Sequence, residues 1–510
     1  MATWLLALLL CVASVYTADT QTQPPAVIWY APFLSGGGYC SEAHSYVTSI
    51  SAALRSFDEK EAAAAVAIDE SAAHSEHAGS SSQSHDTEKE AATVAPFSLY
   101  VTQHGDSFNA AFIRDIPTEM RALLEEVWLH PGLLNWLHIL RWVPSVVLAA
   151  CEWLLTGALT AYYAIVLPHQ HWIEPRDFHW RLRNQKIAIA ICHSEPGAWY
   201  PAHYSTSRCP PEGAQYTVGR TMFETDRVPS GWPDRMNAMD EIWAVQVVPE
   251  AVDVQFFDPA QVTAKYDLAS QIAGVTEATT VFLSIFKWEE RKAWRVLLKA
   301  YFEAFAKSDD VVLVLLTNAY HVESETARDF MDVIENFTLE AVGKPLTELP
   351  RLHVLPPQIP QTELPSLYKA ATAFVLPSRG EGWGRPHVEA MAMELPVIAS
   401  FWSGTTEYMT EENSYPLRID GLIEITEGAF RGHMWADPSL AHLKELLVHV
   451  KDHPEEAIAK GKRARVDMVT KYSPDVIGKL ILGHIERILK YVAQQETSST
   501  NGDLDDHDEL

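Results

Sequence analysis

The segment Ser378-Arg379-Gly380-Glu381-Gly382-Trp383-Gly384-Arg385-Pro386-His387-Val388-Glu389 constrains the fold of this chain more than any other. It separates an apolar run, Ala373 to Leu376, from a helical pattern, Pro386 to Met393. The first reads as a strand and the second as a helix opened by proline. Gly382 and Gly384 let backbone N–H groups come close to a ligand. A helix start with free N–H groups favours an anion. Glu389 falls about one turn into the helix and Glu381 lies in the loop before it. First-turn acids that only favour the helix dipole explain an isolated pair of glutamates. The glycine-rich setting between strand and helix favours a ligand instead.

The same alternation runs through both halves. In the second, Thr280–Ile285, Val311–Leu316, Leu352–Leu355, Ala373–Leu376 and Pro396–Ser400 read as strands. Helical patterns fall between them at Ala293–Phe305, Glu323–Val342, Leu364–Ala371 and Pro386–Met393. In the first half, residues 27–33, Phe97–Val101 and Lys186–Cys192 read as strands, with helices from Glu42 and over Thr118–Val127. Strands separated by helices make parallel sheets. The expected fold class is α/β, with two Rossmann-like domains facing across a cleft. Their expected bounds are 19–245 and 246–490, with a Ser- and Ala-rich surface insertion at 58–95. Ligands of such sheets sit at the carboxyl ends of the strands.

Charge and chain ends bound the partners. The 510 residues carry a net charge of −28 without a basic block, which argues against nucleic acid as a partner. Residues 1–18, with an apolar run from Leu5 to Val15, read as a signal peptide. His507-Asp508-Glu509-Leu510 is a retrieval address read by a receptor, at the end of an acidic tail, 491–510. Together they predict the lumen of the endoplasmic reticulum. Ser145–Leu167 is apolar enough to consider as a membrane span. A span there would put the retrieval address on the wrong side, which leaves buried helices or surface attachment. Cys40, Cys151, Cys192 and Cys209 form no C-x-x-C, so zinc is not expected and disulfide pairing stays open. Asn336-Phe337-Thr338 is a glycosylation sequon inside a predicted helix.

A second charged segment, Phe286-Lys287-Trp288-Glu289-Glu290-Arg291-Lys292-Ala293, turns from a strand into a helix. Lys287 and Lys292 are placed so that both can face one diphosphate. A solvated charged turn explains the segment equally well when it is taken alone. With a carboxylate able to reach hydroxyls on either side of a bound phosphate, and both lysines able to face it, the layout suits a nucleotide-sugar: ribose, diphosphate and hexose.

The stretches FLSIFKWEERKAWRVLLKAYFEAF, LPSRGEGWGRPHVEAMAMELPVIAS, FWSGTTEYM and VGRTMFETDRVPSGWPDRMNAMDEIWAV resemble retaining glycosyltransferases of family 4, glycosyl transferases group 1, with the GT-B fold. The resemblance covers most of residues 27–490. It implies that Glu389 binds the ribose, that Glu381 faces the donor sugar, and that Lys287 and Lys292 hold the diphosphate. It implies donor contacts from Gly382, Trp383, Gly384, Gly404 and Thr405, and from Gly37 and Gly38 across the cleft. A first-lobe histidine near the reacting carbon is implied as well. His193 and His104 both end strands and compete for that place, with His193 preferred as catalytic beside Glu381. No metal and no cofactor beyond a UDP- or GDP-linked sugar is expected, and the acceptor is a glycan, lipid or protein.

The chain departs from the family at three places. Ala293 and Glu394 stand where glycine is usual, and Trp243 to Glu250 is shorter than expected by roughly twenty residues. These departures keep alive a catalytically weak glycan-binding or quality-control protein on the same scaffold. A phosphorylase is a weaker rival, because no cofactor-lysine site is evident.

Overall fold

The computed structural model describes residues 24–33, 42–54, 97–104, 120, 122–124, 185–200, 209–244, 246–319, 327–356, 359–428 and 430–502. The expectations for the signal peptide, Gly37, Gly38, Cys40, the insertion, Cys151, Ser145–Leu167 and the retrieval address lie outside these residues, as does most of the helix expected over Thr118–Val127.

The first lobe holds β1 (Ala26–Ala31), β2 (Ser98–Gln103), β3 (Ile187–His193), β4 (Tyr216–Arg220) and β5 (Glu241–Trp243). They pair in parallel in the order β2-β1-β3-β4-β5. The helix expected from Glu42 is present as α1, residues 42–54. Its Tyr46, Val47 and Ile50 join Val27, Trp29, Ile189 and Ile191 in the core on one face of the sheet. β1 and β3 are buried along their whole length, as central parallel strands are. A short helix, α2 (Trp232–Met236), precedes β5.

The second lobe holds β6 (Thr280–Trp288), β7 (Val311–Ala319), β8 (Arg351–Val354), β9 (Ala373–Leu376), β10 (Val397–Ser400) and β11 (Tyr415–Leu417). All pair in parallel, in the order β11-β10-β9-β6-β7-β8. The connecting helices are α3 (Trp294–Ala304), α4 (Ala327–Ala341), α5 (Leu364–Ala370) and α6 (Arg385–Ala392). A two-stranded antiparallel ribbon, β12 (Ile419–Glu424) with β13 (Met434–Pro438), follows. Then come α7 (Leu440–Asp452), α8 (Pro454–Lys471) and α9 (Pro474–Gly502). This is the two-sheet α/β arrangement that the sequence implies. Among the described residues no helix is long and apolar enough to cross a membrane.

One division differs from the expected bounds. The expected bounds put α9, up to residue 490, in the second lobe. Its stripe of Ile477, Ile481, Ile485, Ile488 and Val492 packs instead into the first lobe's core. Arg487 donates to both oxygens of Glu241 at 2.7 Å, and His484 lies 5.5 Å from Trp243. The amphipathic pattern that makes α9 a helix says nothing about which sheet it covers.

Two departures from the family pattern acquire a physical meaning. Ala293 has φ +49° and Glu394 has φ +62°. Both lie in the left-handed region, where a Cβ costs about 1–2 kcal/mol. Glycine would adopt it freely, at some entropic cost in the unfolded chain. Ala293→Gly and Glu394→Gly should therefore each raise stability, by about 0.5–1 kcal/mol, in urea or thermal melts.

Candidate functional site

Strand β9 ends at Leu376, and the loop to α6 crosses the carboxyl edge of the second sheet. Glu381 is buried there. The Lys292 ammonium donates to both of its oxygens, at 2.6 and 2.8 Å. Arg291 adds a contact at 3.2 Å to Glu381 Oε2 and donates to the Gly380 carbonyl at 2.8 Å. Its other nitrogen holds Glu289 at 2.8 Å. The Arg291 carbonyl accepts from the Arg379 N–H at 2.7 Å, so the two loops are stitched through backbone as well. Burial acts to raise the Glu381 carboxyl, but Lys292 and then Arg291 overcome it and hold it at about 2. Burial lowers the Lys292 ammonium from its ordinary value, with Glu381 opposing.

The glycines of this loop are required by close approach. A Cβ on Gly382 would overlap the Met222 sulfur, and one on Gly380 would overlap the Glu224 carbonyl. Gly404 is packed against the Gly382 carbonyl in the same way, and its N–H donates to the Glu381 carbonyl at 3.0 Å. Gly384 caps α6 with φ +97°. Trp383 is buried between Tyr408 and Tyr472, at ring distances of 5.0 and 5.5 Å, and its carbonyl accepts from the Tyr408 hydroxyl.

Glu389 lies one turn into α6 and is also buried. The Tyr368 hydroxyl donates to it at 3.0 Å, and Arg385 stands 3.7 Å away. Burial raises its carboxyl above the ordinary value, against the pull of Arg385 and Tyr368. Arg385 also reaches Glu250 at 3.6 Å, and burial followed by the Glu42 charge pushes the Glu250 carboxyl up to about 8.

A cavity of about 240 Å³ opens where the lobes meet. Met222, Phe223, Ala244 and Gln246 line one side, and Gly382, Ser403, Gly404 and Thr406 the other. It falls below the range of about 300–1,000 Å³ usual for ligand sites. The shortened segment forms part of its wall. Gln246 donates to Glu407 at 3.0 Å, and the Val248 and Ala251 carbonyls accept from Tyr46 and Ser45 of α1.

The structure thus brings together Glu381, Lys292, Gly382, Gly404 and the start of α6 carrying Glu389. It treats other expected residues differently. Lys292 and not Lys287 reaches Glu381. Lys287 is exposed near the end of β6, opposite Asn318 of β7. Thr405 is buried, and its hydroxyl donates to the Ser400 carbonyl at 2.6 Å, a contact that shapes the loop. His193 ends β3 as expected, but its ring is fully buried. Its Nδ1 accepts from Trp29 at 3.2 Å, and its Nε2 is 3.0 Å from Glu42. Glu42 is held in turn by Arg220 and Tyr46. Burial lowers the His193 pKa, with Glu42 opposing. His193 is thus packed in the first lobe's core at the carboxyl end of β3, against Trp29, Glu42 and Tyr46. His104 is buried against Tyr30. Arg291, Arg385, Tyr368, Met222 and Glu250 were not anticipated. Arg291 alone carried a signal, its position beside Lys292.

Residues 277–423, which lie within the second lobe, match the family model described as Glycosyl transferases group 1. No curated protein matches the chain. Among solved structures, the chain is similar to Anabaena Alr3699/HepE, solved with UDP and glucose. The identity is 12%, covering 91% of this chain and 100% of that one, with a TM-score of 0.47. It is also similar to a glycosyltransferase from Rickettsia africae (14% identity, 61% and 79% covered, TM-score 0.44). A third is sucrose-phosphate synthase from Thermosynechococcus elongatus (19%, 61% and 70%, 0.38). At these values the likeness carries no residue-level argument.

Glu381 is depressed to about 2 from 4.5. Its pairing therefore contributes stability that is fully present above pH 4.5 and is lost as the pH falls through about 2. Breaking the pair by Glu381→Gln or Lys292→Met should cost about 3–5 kcal/mol, and E381Q should flatten the acid limb of stability in urea melts taken from pH 7 downwards.

Proposed function

We propose that this chain is a glycosyltransferase that moves a hexose from a UDP- or GDP-linked donor to a glycan, lipid or protein acceptor. The observation that carries this is the loop of residues 380–384. It sets a paired carboxylate, two cations and a helix start at one sheet edge, inside the matched stretch and facing the first lobe. The diphosphate lies at the start of α6, with Glu389 on the ribose hydroxyls and Glu381 toward the sugar. Met222 and Glu224 cover the glycines, so the lobes part for the donor to enter and close again over it.

Transfer proceeds with retention and without a metal. The bond from the anomeric carbon to the diphosphate breaks, and the acceptor oxygen bonds to the same face. The leaving diphosphate takes the acceptor's proton. Lys292, shared between Glu381 and the diphosphate, meets the developing charge together with Arg291 and backbone N–H groups. The work is done in the lumen of the endoplasmic reticulum. The retrieval tetrapeptide supports that compartment, as does the disulfide between Cys192 and Cys209, of a kind rare in the cytosol.

A second reading, donor or glycan binding with little turnover, is favoured by the small cavity and the strapped segment 244–251. Glu389→Ala should weaken donor binding about 10- to 100-fold, the loss of one or two hydrogen bonds to a carboxylate, and reduce transfer in proportion; it also leaves the Tyr368 hydroxyl without its acceptor, so both are read well below the variant's own melting temperature. Calorimetry and donor hydrolysis with a panel of UDP- and GDP-sugars check it. Full transfer by E389A contradicts the site. Binding without hydrolysis or transfer selects the second reading, and no binding by the wild-type protein contradicts both.

A further inference from the structure

Helix α4 carries a feature that donor chemistry does not use. Its inner face is a stripe of Phe330, Ile334 and Thr338, buried against the second lobe, with Phe337 5.4 Å from Trp294. The outer face is exposed at Asp332, Val333, Glu335, Asn336, Leu339 and Glu340. Asn336 sits at the middle of that face. Successive helical residues turn by about 100°, so Val333 and Leu339 flank it at about 60° on either side. Both are large apolar residues left in water, 42% and 51% exposed. Asn336-Phe337-Thr338 is also the sole Asn-x-Ser/Thr in the chain.

We infer that Asn336 is N-glycosylated and that its glycan covers the apolar flanks Val333 and Leu339. The inference rests on the lumenal part of the proposed function. In the folded helix the Thr338 hydroxyl is buried and donates to the Glu335 carbonyl at 2.9 Å, so the sequon is closed to an enzyme. Modification therefore precedes folding of α4, as the chain enters the lumen. A separate lumenal transferase supplies the step from a lipid-linked oligosaccharide. The Asn336 amide nitrogen bonds to C1 of the sugar and gives up one proton to a base. The bond from C1 to the lipid diphosphate breaks, and the lipid diphosphate leaves. Asn336 itself is exposed once the helix forms, so the fold accommodates the product. A bulky polar glycan over two exposed apolar side chains removes them from contact with other molecules.

The test expresses the full chain with its own N-terminus in eukaryotic cells. Microsomal protease protection reads the compartment, and gel mobility before and after endoglycosidase reads the glycan. The expected result is a protected chain with one endoglycosidase-sensitive step, lost in Asn336→Gln and kept in Thr338→Ser. A protected chain with no such step overturns the inference and leaves the lumenal reading standing. An unprotected chain overturns the lumenal reading, and the inference with it. Coverage is read separately by light scattering of purified protein. N336Q should self-associate more than wild type, and adding V333S and L339S should reverse this. A monodisperse N336Q overturns the shielding role.

Discussion

The buried pair of Glu381 with Lys292 is the contact on which the site depends. A carboxylate at this depth is tolerated only if a cation reaches it, and Lys292 reaches both oxygens. The pair joins the end of β6 to the end of β9 across the carboxyl edge of the sheet. With the loop pinned, Gly382 lies against Met222 of the first lobe and Gly384 starts α6. The lobe contact, the helix start and the burial of Glu389 follow from where that loop is held.

Much of this was legible in the sequence because it is local. Strand, glycine loop, proline-led helix and second glutamate occur within one short stretch, and periodicity placed five of the six strands of the second sheet within a few residues, all but the short edge strand β11. What was not legible depended on distance or on register. β6 runs on through Trp288, so Lys287 lies within the strand, opposite Asn318, while the turn delivers Arg291 and Lys292 to Glu381. The environment of His193 is built by Trp29, Glu42 and Tyr46 from other elements, and a histidine at a strand end carries no sign of them. Met222 and Glu224 look ordinary in sequence; they matter because Gly382 and Gly380 leave room for them, and because the Glu224 carboxylate stands 3.6 Å from Arg291.

The three departures from the family pattern have different consequences. Ala293 and Glu394 keep the left-handed backbone that glycine would take and carry its strain. The shortened segment after Trp243 changes how the lobes are tied. It runs from the first sheet past the cavity wall, bonded to α1 on one side and to Glu407 and Tyr472 on the other. Helix α9 then covers the end of the first sheet at Trp243. These bonds join the lobes together with those of residues 225–227 to the β12–β13 ribbon, where Asp226 and Met434 exchange backbone and side-chain bonds.

The central claim is that the loop of residues 378–389, with the turn that carries Arg291 and Lys292, forms the donor site. Hydrogen–deuterium exchange with and without UDP or GDP tests it most directly. The account predicts slowed exchange at residues 380–388, at 290–293 and at 403–407, with the first-lobe residues 221–224 changing as the lobes adjust. Slowed exchange confined to other regions, with these segments unchanged under saturating nucleotide, would contradict it.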